Sequence, residues 1–177
     1  SLVKKKRILI IKFGGLGDFI LSLYAMSYIK DHHAKDEISI LTESLYFELA
    51  QKSRFFERIY TIERNFFYFF DKLEIKKKIN IDNFHIVYDL QTSKRSSSYY
   101  SLFNKQNVKW SGIVKNNQYF HSNVNRDKIH TLERQKDQLK QANIKSFKKP
   151  NFDWLFDNKL CLKMKKPFAL VVPGGSA

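Results

Sequence analysis

Residues 7–20, RILIIKFGGLGDFI, decide the fold: an apolar run breaks at a glycine-rich turn, and the turn delivers Asp18 to the start of an apolar helix. The run at 8–13 carries no charge before Lys12, which is the pattern of a strand buried on both faces. Residues 16–28 hold so many apolar positions that a helix there must lie against a sheet. Strand, tight turn and helix in that order open a βαβ unit.

The same alternation continues outward. Residues 38–42, 58–62, 85–90 and 108–113 read as further strands. Residues 44–52 and 93–103, opening on the cap-forming Ser44 and Ser93, read as helices, as do 66–80 and 129–142. The asparagine-rich 116–125 reads as a loop. This order predicts an α/β fold with a Rossmann-like, doubly wound parallel sheet. Past Ile144 the pattern fades: 145–166 is lysine-rich and aperiodic, while 168–172 is a new buried-strand pattern ending in Pro173, Gly174, Gly175 and Ser176. The expected organisation is a domain over 1–144, a linker over 145–166, and over 167–177 the first strand and turn of a second Rossmann-like domain, the chain reading as truncated there.

With 43% hydrophobic and 15% aromatic residues among 177, there is ample material for a core, which excludes a disordered chain. The 32 Lys and Arg against 17 Asp and Glu give a net charge of +15. That balance suits an anionic partner: nucleic acid, an anionic membrane surface or an acidic small substrate. The residue bias of an AT-rich genome accounts for the excess equally well. The lone Cys161 rules out an internal disulfide and speaks against a cysteine metal site, so the expectation is a reducing cytoplasm. No apolar run approaches the roughly 20 residues that span a bilayer.

In an open parallel sheet, ligands bind beyond the carboxyl ends of the strands, where helix N–H groups and the helix dipole converge. Gly14, Gly15 and Gly17 would let the backbone turn tightly and approach a ligand there. No Gly-Lys-Ser/Thr follows, so this is not a P-loop, and Ile20 stands where a dinucleotide fingerprint needs its third glycine. The unusual element is Asp18, a carboxylate where a phosphate would otherwise sit. Two readings stand open: a helix cap, or a general base at the ligand-binding edge.

The runs ILIIKFGGLGDFILSLYAMSYIK, ISILTE, FERIY, HIVYDLQTSKRSS, KWSGI, HTLERQKDQLKQANI and FALVVPGGSA occur in that order from Ile8 to Ala177. Together they resemble the amino-terminal half of glycosyltransferase family 9, the lipopolysaccharide heptosyltransferases. The resemblance implies the amino-terminal domain of a GT-B fold, two Rossmann-like domains facing across a cleft. It also implies inverting sugar transfer from an ADP-sugar donor to an anionic lipopolysaccharide core acceptor, with no cofactor and no metal, at the cytoplasmic side of the inner membrane. By the same resemblance Asp18 would deprotonate the acceptor hydroxyl, and Gly14, Gly15 and Gly17 would form the loop before it. Gln91 and Arg95 would meet the acidic acceptor, and Gly174, Gly175 and Ser176 the donor phosphates.

There are departures. Many heptosyltransferases carry serines where Gly14 and Gly15 stand, often a glycine at Thr92, and commonly an arginine near Trp110. His130 matches a family position at the start of the last helix. Residues 66–70, FFYFF, hold too many aromatics for one buried helix face; some are expected at the surface, where Lys72 and Lys76–Lys78 would support a peripheral membrane contact. The other reading of that run is core packing with one or two incidental exposed rings. Two further readings of the chain are a noncatalytic Rossmann-like interaction domain and a basic nucleic-acid-binding module. For the latter no recognition motif is present, and no nucleic-acid partner is expected.

Overall fold

A computed structural model describes residues 3–63, 65–103 and 107–156. Its centre is a five-stranded, all-parallel sheet in the order β3-β2-β1-β4-β5, formed by β1 (Arg7–Ile11), β2 (Glu37–Thr42), β3 (Arg58–Thr61), β4 (Phe84–Asp89) and β5 (Lys109–Ser111). The chain runs outward from β1 to β3, then returns to place β4 on the other side of β1. That reversal is a topological switch point, and parallel α/β sheets bind ligands in the crevice beyond it.

The period of two along each strand divides the core. Ile8 and Ile10 of β1 face one side with Ile38, Ile40, Ile86 and Tyr88; Leu9 and Ile11 face the other with Leu41 and Val87. The first side is covered by α1 (Leu16–His32) and α6 (Thr131–Gln141). The second is covered by α3 (Tyr68–Lys78), α4 (Lys94–Ser98) and α5 (Tyr100–Phe103). The short α2 (Phe47–Ser53) follows a single 3-10 turn at Ser44–Tyr46. In α1 ten of 17 residues are buried, as a helix wedged between a sheet and another helix requires.

Local chemistry explains where the elements differ from the sequence expectation. The helix expected over 93–103 is two short pieces. Its serines bond back to nearby carbonyls, Ser98 to Arg95 at 2.6 Å and Ser101 to Ser98 at 3.1 Å, which competes with the helical ladder. The helix expected over 66–80 begins only at Tyr68, because Phe67 is extended. α6 stops where Asn143 turns left-handed (φ 65°), and Ile144 N–H then closes on the Leu139 carbonyl. Residues 145–156 carry lysines, yet Phe147 packs against the α1 side and Phe152 and Leu155 are buried in that core. Phe152 meets Tyr24 edge-on at 4.9 Å and Phe147 meets Tyr28 at 5.1 Å. Residues 145–156 therefore pack on the α1 side of the sheet and extend that core, rather than leaving it as a linker. The strand expected at 168–172, as the first of a second domain, lies outside the described residues.

Candidate functional site at the switch point

The loops after β1 and β4 meet at the switch point and are stitched together. Lys12 Nζ and Phe13 N–H both donate to Gln91 Oε1, at 2.9 and 3.1 Å, while Gln91 N–H donates to the Ile11 carbonyl at 3.2 Å. Gln91 thus spends its carbonyl oxygen on the framework. Its Nε2 forms no hydrogen bond among the described residues, so that end of the amide is what it can offer a ligand. Lys12 is 95% buried, its ammonium held near the Asp89 carboxylate and against Gln91. A lysine inside an otherwise apolar strand end was the sequence signal for this contact.

Gly14 sits where only glycine fits. Its N–H donates to Glu43 Oε1 at 3.0 Å, and a Cβ there would lie 2.8 Å from the Tyr46 Cζ. Tyr46 is itself buried and stacked on Phe19 at 4.6 Å. Around Gly15 and Gly17, by contrast, a Cβ would meet nothing within 4 Å. Those two positions, three residues and one residue before position 18, leave open space beside it.

That residue is the exposed Asp18. α1 is capped by Gly15 with no side-chain cap bond, and Asp18 lies in the first turn, where the helix dipole favours a negative charge. Ser22 Oγ donates to the Asp18 backbone carbonyl at 2.7 Å, whereas the Asp18 carboxylate accepts no hydrogen bond among the described residues. The side chain does not serve as a cap. It stands free at the carboxyl edge of the sheet, beside glycines that keep that edge open.

The neighbouring carboxylate behaves in the opposite way. Asp89, at the end of β4, is fully buried and accepts from Gln91 N–H, Thr92 N–H and Ser96 Oγ at 3.1, 3.0 and 2.8 Å. Burial pushes its carboxyl up to about 6, against the pull of those hydrogen bonds and the Lys12 charge. Ser93 and Ser96 form a reciprocal capping box that opens α4.

Arg95, expected to face an acceptor, is held by the protein itself. Its Nη1 meets Asp71 Oδ2 at 2.6 Å, its Nη2 meets the Asn65 carbonyl at 2.5 Å, and its guanidinium covers the Tyr68 ring at 4.9 Å. Asp71 is buried and also accepts from Tyr99 Oη at 2.5 Å and Asn65 N–H at 2.9 Å. Burial raises its carboxyl, but the bonds from Tyr99, Asn65 and Arg95 outweigh it and hold the group below the usual range. Of the residues expected at the acceptor, Gln91 joins the turn before Asp18, whereas Arg95 reaches towards α3. Trp110 is a core residue, edge-on to Tyr100 at 5.5 Å. His130 caps α6, accepting from Leu132 N–H at 3.3 Å.

Sequence reasoning missed Arg126. It sits in the loop between β5 and α6, its Nε donates to His121 Nδ1 at 3.2 Å, and its buried Nη2 has no hydrogen-bond partner. Burial, followed by the nearby Arg134, pulls its guanidinium below the ordinary range, while Asp127 and Asp89 oppose that. An arginine beside an asparagine-rich loop gave no signal, because no period or motif in that stretch shows which of its polar groups the fold will bury. Gly174, Gly175 and Ser176 lie outside the described residues. Among the described residues no cluster of three or more His, Cys, Asp or Glu is arranged for a metal ion. A groove of about 290 Å³ opens elsewhere, between α1, α6 and Phe147, away from Asp18.

No family model matches the chain, and no curated protein sequence does. Solved structures do match. The glycosyl transferase family 9 structure from Veillonella parvula aligns with a TM-score of 0.57 at 14% identity, over 84% of this chain and 45% of that one. Escherichia coli heptosyltransferase WaaC with ADP-2-deoxy-2-fluoro heptose aligns with a TM-score of 0.61 at 14% identity, over 84% of this chain and 51% of that one. WaaC with ADP gives 0.60 at 14%, over 89% and 53%. The chain spans about half the length of the structures it matches. Over that half, this chain has the α/β fold found in the family 9 glycosyltransferase and heptosyltransferase structures.

Proposed function

We propose that the chain is the acceptor-side half of an inverting glycosyltransferase, heptosyltransferase-like, with Asp18 as its general base. The observation that carries the reading is the free, exposed Asp18 carboxylate at the switch point, on a turn whose glycines leave room for a ligand. In the proposed reaction an acceptor sugar hydroxyl attacks the anomeric carbon of a nucleotide-sugar donor. The new C–O bond forms as the bond to the diphosphate breaks, the nucleoside diphosphate leaves with the electron pair, and Asp18 takes the hydroxyl proton. The reaction as written calls on no metal ion or cofactor.

The fold shared with WaaC, solved with ADP and with an ADP-sugar analogue, supports an ADP-sugar as donor. The chain covers about half of those chains, which supports the reading that the main donor contacts belong to a second half and that the 177 residues alone are inactive. The net charge of +15, with Arg126 Nη2 left without a hydrogen-bond partner among the described residues, supports an anionic acceptor such as a lipopolysaccharide core sugar. Such an enzyme would work in the cytoplasm. In the full-length protein, Asp18→Asn is expected to lower glycosyl transfer by roughly 10²–10⁴-fold, the usual contribution of a general base. Turnover of the variant near that of the parent would overturn the assignment. An interaction domain or nucleic-acid module gives no reason for a free carboxylate at this edge, and neither reading is favoured.

A further inference from the structure

The aromatic run after β3 is not core. Phe66, Phe67, Phe69 and Phe70 are 89%, 60%, 63% and 51% exposed, and Leu73 on the next turn is exposed as well. The rings touch one another in a chain, Phe66–Phe67 at 4.9 Å, Phe67–Phe70 at 6.2 Å and Phe69–Phe70 at 5.7 Å, so they form one contiguous patch. Scattered single apolar residues are ordinary on a surface; four adjacent phenylalanines mark a contact site.

The patch is also firmly held. The Arg95–Asp71 pair, with Tyr99 and the Asn65 backbone, pins the turn and the first residues of α3 to the sheet edge. Of the eleven residues of α3 only Asp71 and Ile75 are buried, so the helix rests on a narrow foot with most of its surface outward. Just beyond the rings stand Lys72, Lys76 and Lys77, while Glu74 is paired with Lys78 at 2.9 Å and Asp71 is buried. The surface beside the patch is therefore cationic. Because α3 begins where β3 ends, the patch lies at the same carboxyl edge as Asp18.

We infer that residues 66–77 seat the protein on an anionic lipid bilayer, the phenylalanines entering the interface and Lys72, Lys76 and Lys77 meeting the headgroups. Charge selects this occupant. A two-fold pairing of identical patches would bring those three lysines against their own copies, whereas an anionic bilayer neutralises them and accepts a bouquet of rings without a matching cavity. No described helix is long and apolar enough to cross a membrane. The contact turns the carboxyl edge, and Asp18 with it, towards the lipid surface. The inference goes beyond the proposed transfer and is tested without it.

The test is sedimentation of the full-length protein with vesicles of phosphatidylethanolamine and phosphatidylglycerol, beside vesicles of phosphatidylcholine alone. The parent is expected to sediment with the anionic vesicles. The combined variant Phe66→Ser, Phe67→Ser, Phe69→Ser and Phe70→Ser is expected to bind at least about tenfold more weakly. Lys72→Gln, Lys76→Gln and Lys77→Gln together should cost about fivefold per charge removed and flatten the salt dependence. In a separate Phe67→Trp protein the added tryptophan should emit at shorter wavelength with anionic vesicles, which reads insertion without disturbing the patch. No binding by the parent, parent-like binding by the four-serine variant, or an unshifted tryptophan would each overturn the inference. So would a four-serine variant whose only change is loss of self-association in ultracentrifugation.

Discussion

Two aspartates at the carboxyl ends of adjacent strands meet opposite fates. Asp89 ends β4, is fully buried, and is saturated by two backbone N–H groups and the Ser96 hydroxyl. Asp18 lies one short turn beyond β1, exposed, its carboxylate bonded to nothing among the described residues. The difference separates architecture from chemistry: a carboxylate that organises a loop has spent its lone pairs, and one that accepts a proton from a ligand must keep them. The largest expected effect follows from this contrast. Asp18→Asn should remove most transfer activity, as above, yet leave the melting temperature almost unchanged, since no hydrogen bond is lost. A large fall in stability would show that Asp18 is structural after all.

Asp89 should show the reverse signature, in stability and in its pH dependence. Its folded carboxyl titrates near 6 while an unfolded aspartate titrates near 3.9, so the folded state holds the proton more tightly. The stability this contributes is complete below about pH 4 and is lost as pH rises to about 6. Across that window the loss is about 2–3 kcal/mol. Asp71, held low, works at the acid end with opposite sign, its contribution falling away as pH drops through its folded value. Comparing Asp89→Asn with the parent by chemical denaturation isolates the Asp89 part. The variant should gain on the parent by that amount between pH 4 and 6, and a pH-independent difference would mean that Asp89 titrates normally.

What the sequence made legible follows from range. The glycine turn and Asp18 are local: strand, turn and helix lie within fourteen residues, and their spacing alone placed the turn at the ligand edge. The serine cap at Ser93 is local in the same way and is present as expected. The bridge from Lys12 to Gln91 joins residues 79 apart in sequence, and the Arg95–Asp71 pair joins residues 24 apart. No period or motif announces which cation a buried carboxylate will capture, so Arg95 read as free when the fold occupies it. Likewise Phe147, Phe152 and Leu155 sit among lysines, and only packing on α1 shows that their stretch belongs to the first core.

The turn carrying Asp18 makes a finer prediction. Gly14 and Gly15 look equivalent in sequence, but Tyr46 fills the space beside one and nothing fills the space beside the other. Gly14→Ser should cost about 1–3 kcal/mol, the range for forcing atoms into a packed site. Gly15→Ser places a cap-forming hydroxyl at an extended N-cap with room around it and should stabilise by a few tenths of a kcal/mol. Equal effects in thermal denaturation would mean that Tyr46 yields and that Gly14 is not held by contact.

The turn carrying Asp89 supplies the counterpart. Thr92 adopts φ 47°, a left-handed conformation in which a β-branched side chain is strained by about 1–2 kcal/mol. In that turn Thr92 N–H donates to Asp89 Oδ1 at 3.0 Å, which ties the turn to the buried carboxylate. Thr92→Gly relieves the strain, and the greater freedom of glycine in the unfolded chain takes back about 0.5–1 kcal/mol. The net expectation is a stabilisation of up to about 1 kcal/mol in the parent. Combined with Asp89→Ala the gain should change, because the bond that holds the left-handed turn is gone and an unstrained threonine becomes possible. Strictly additive stabilities in that double-mutant cycle would show that the turn adopts its shape without Asp89.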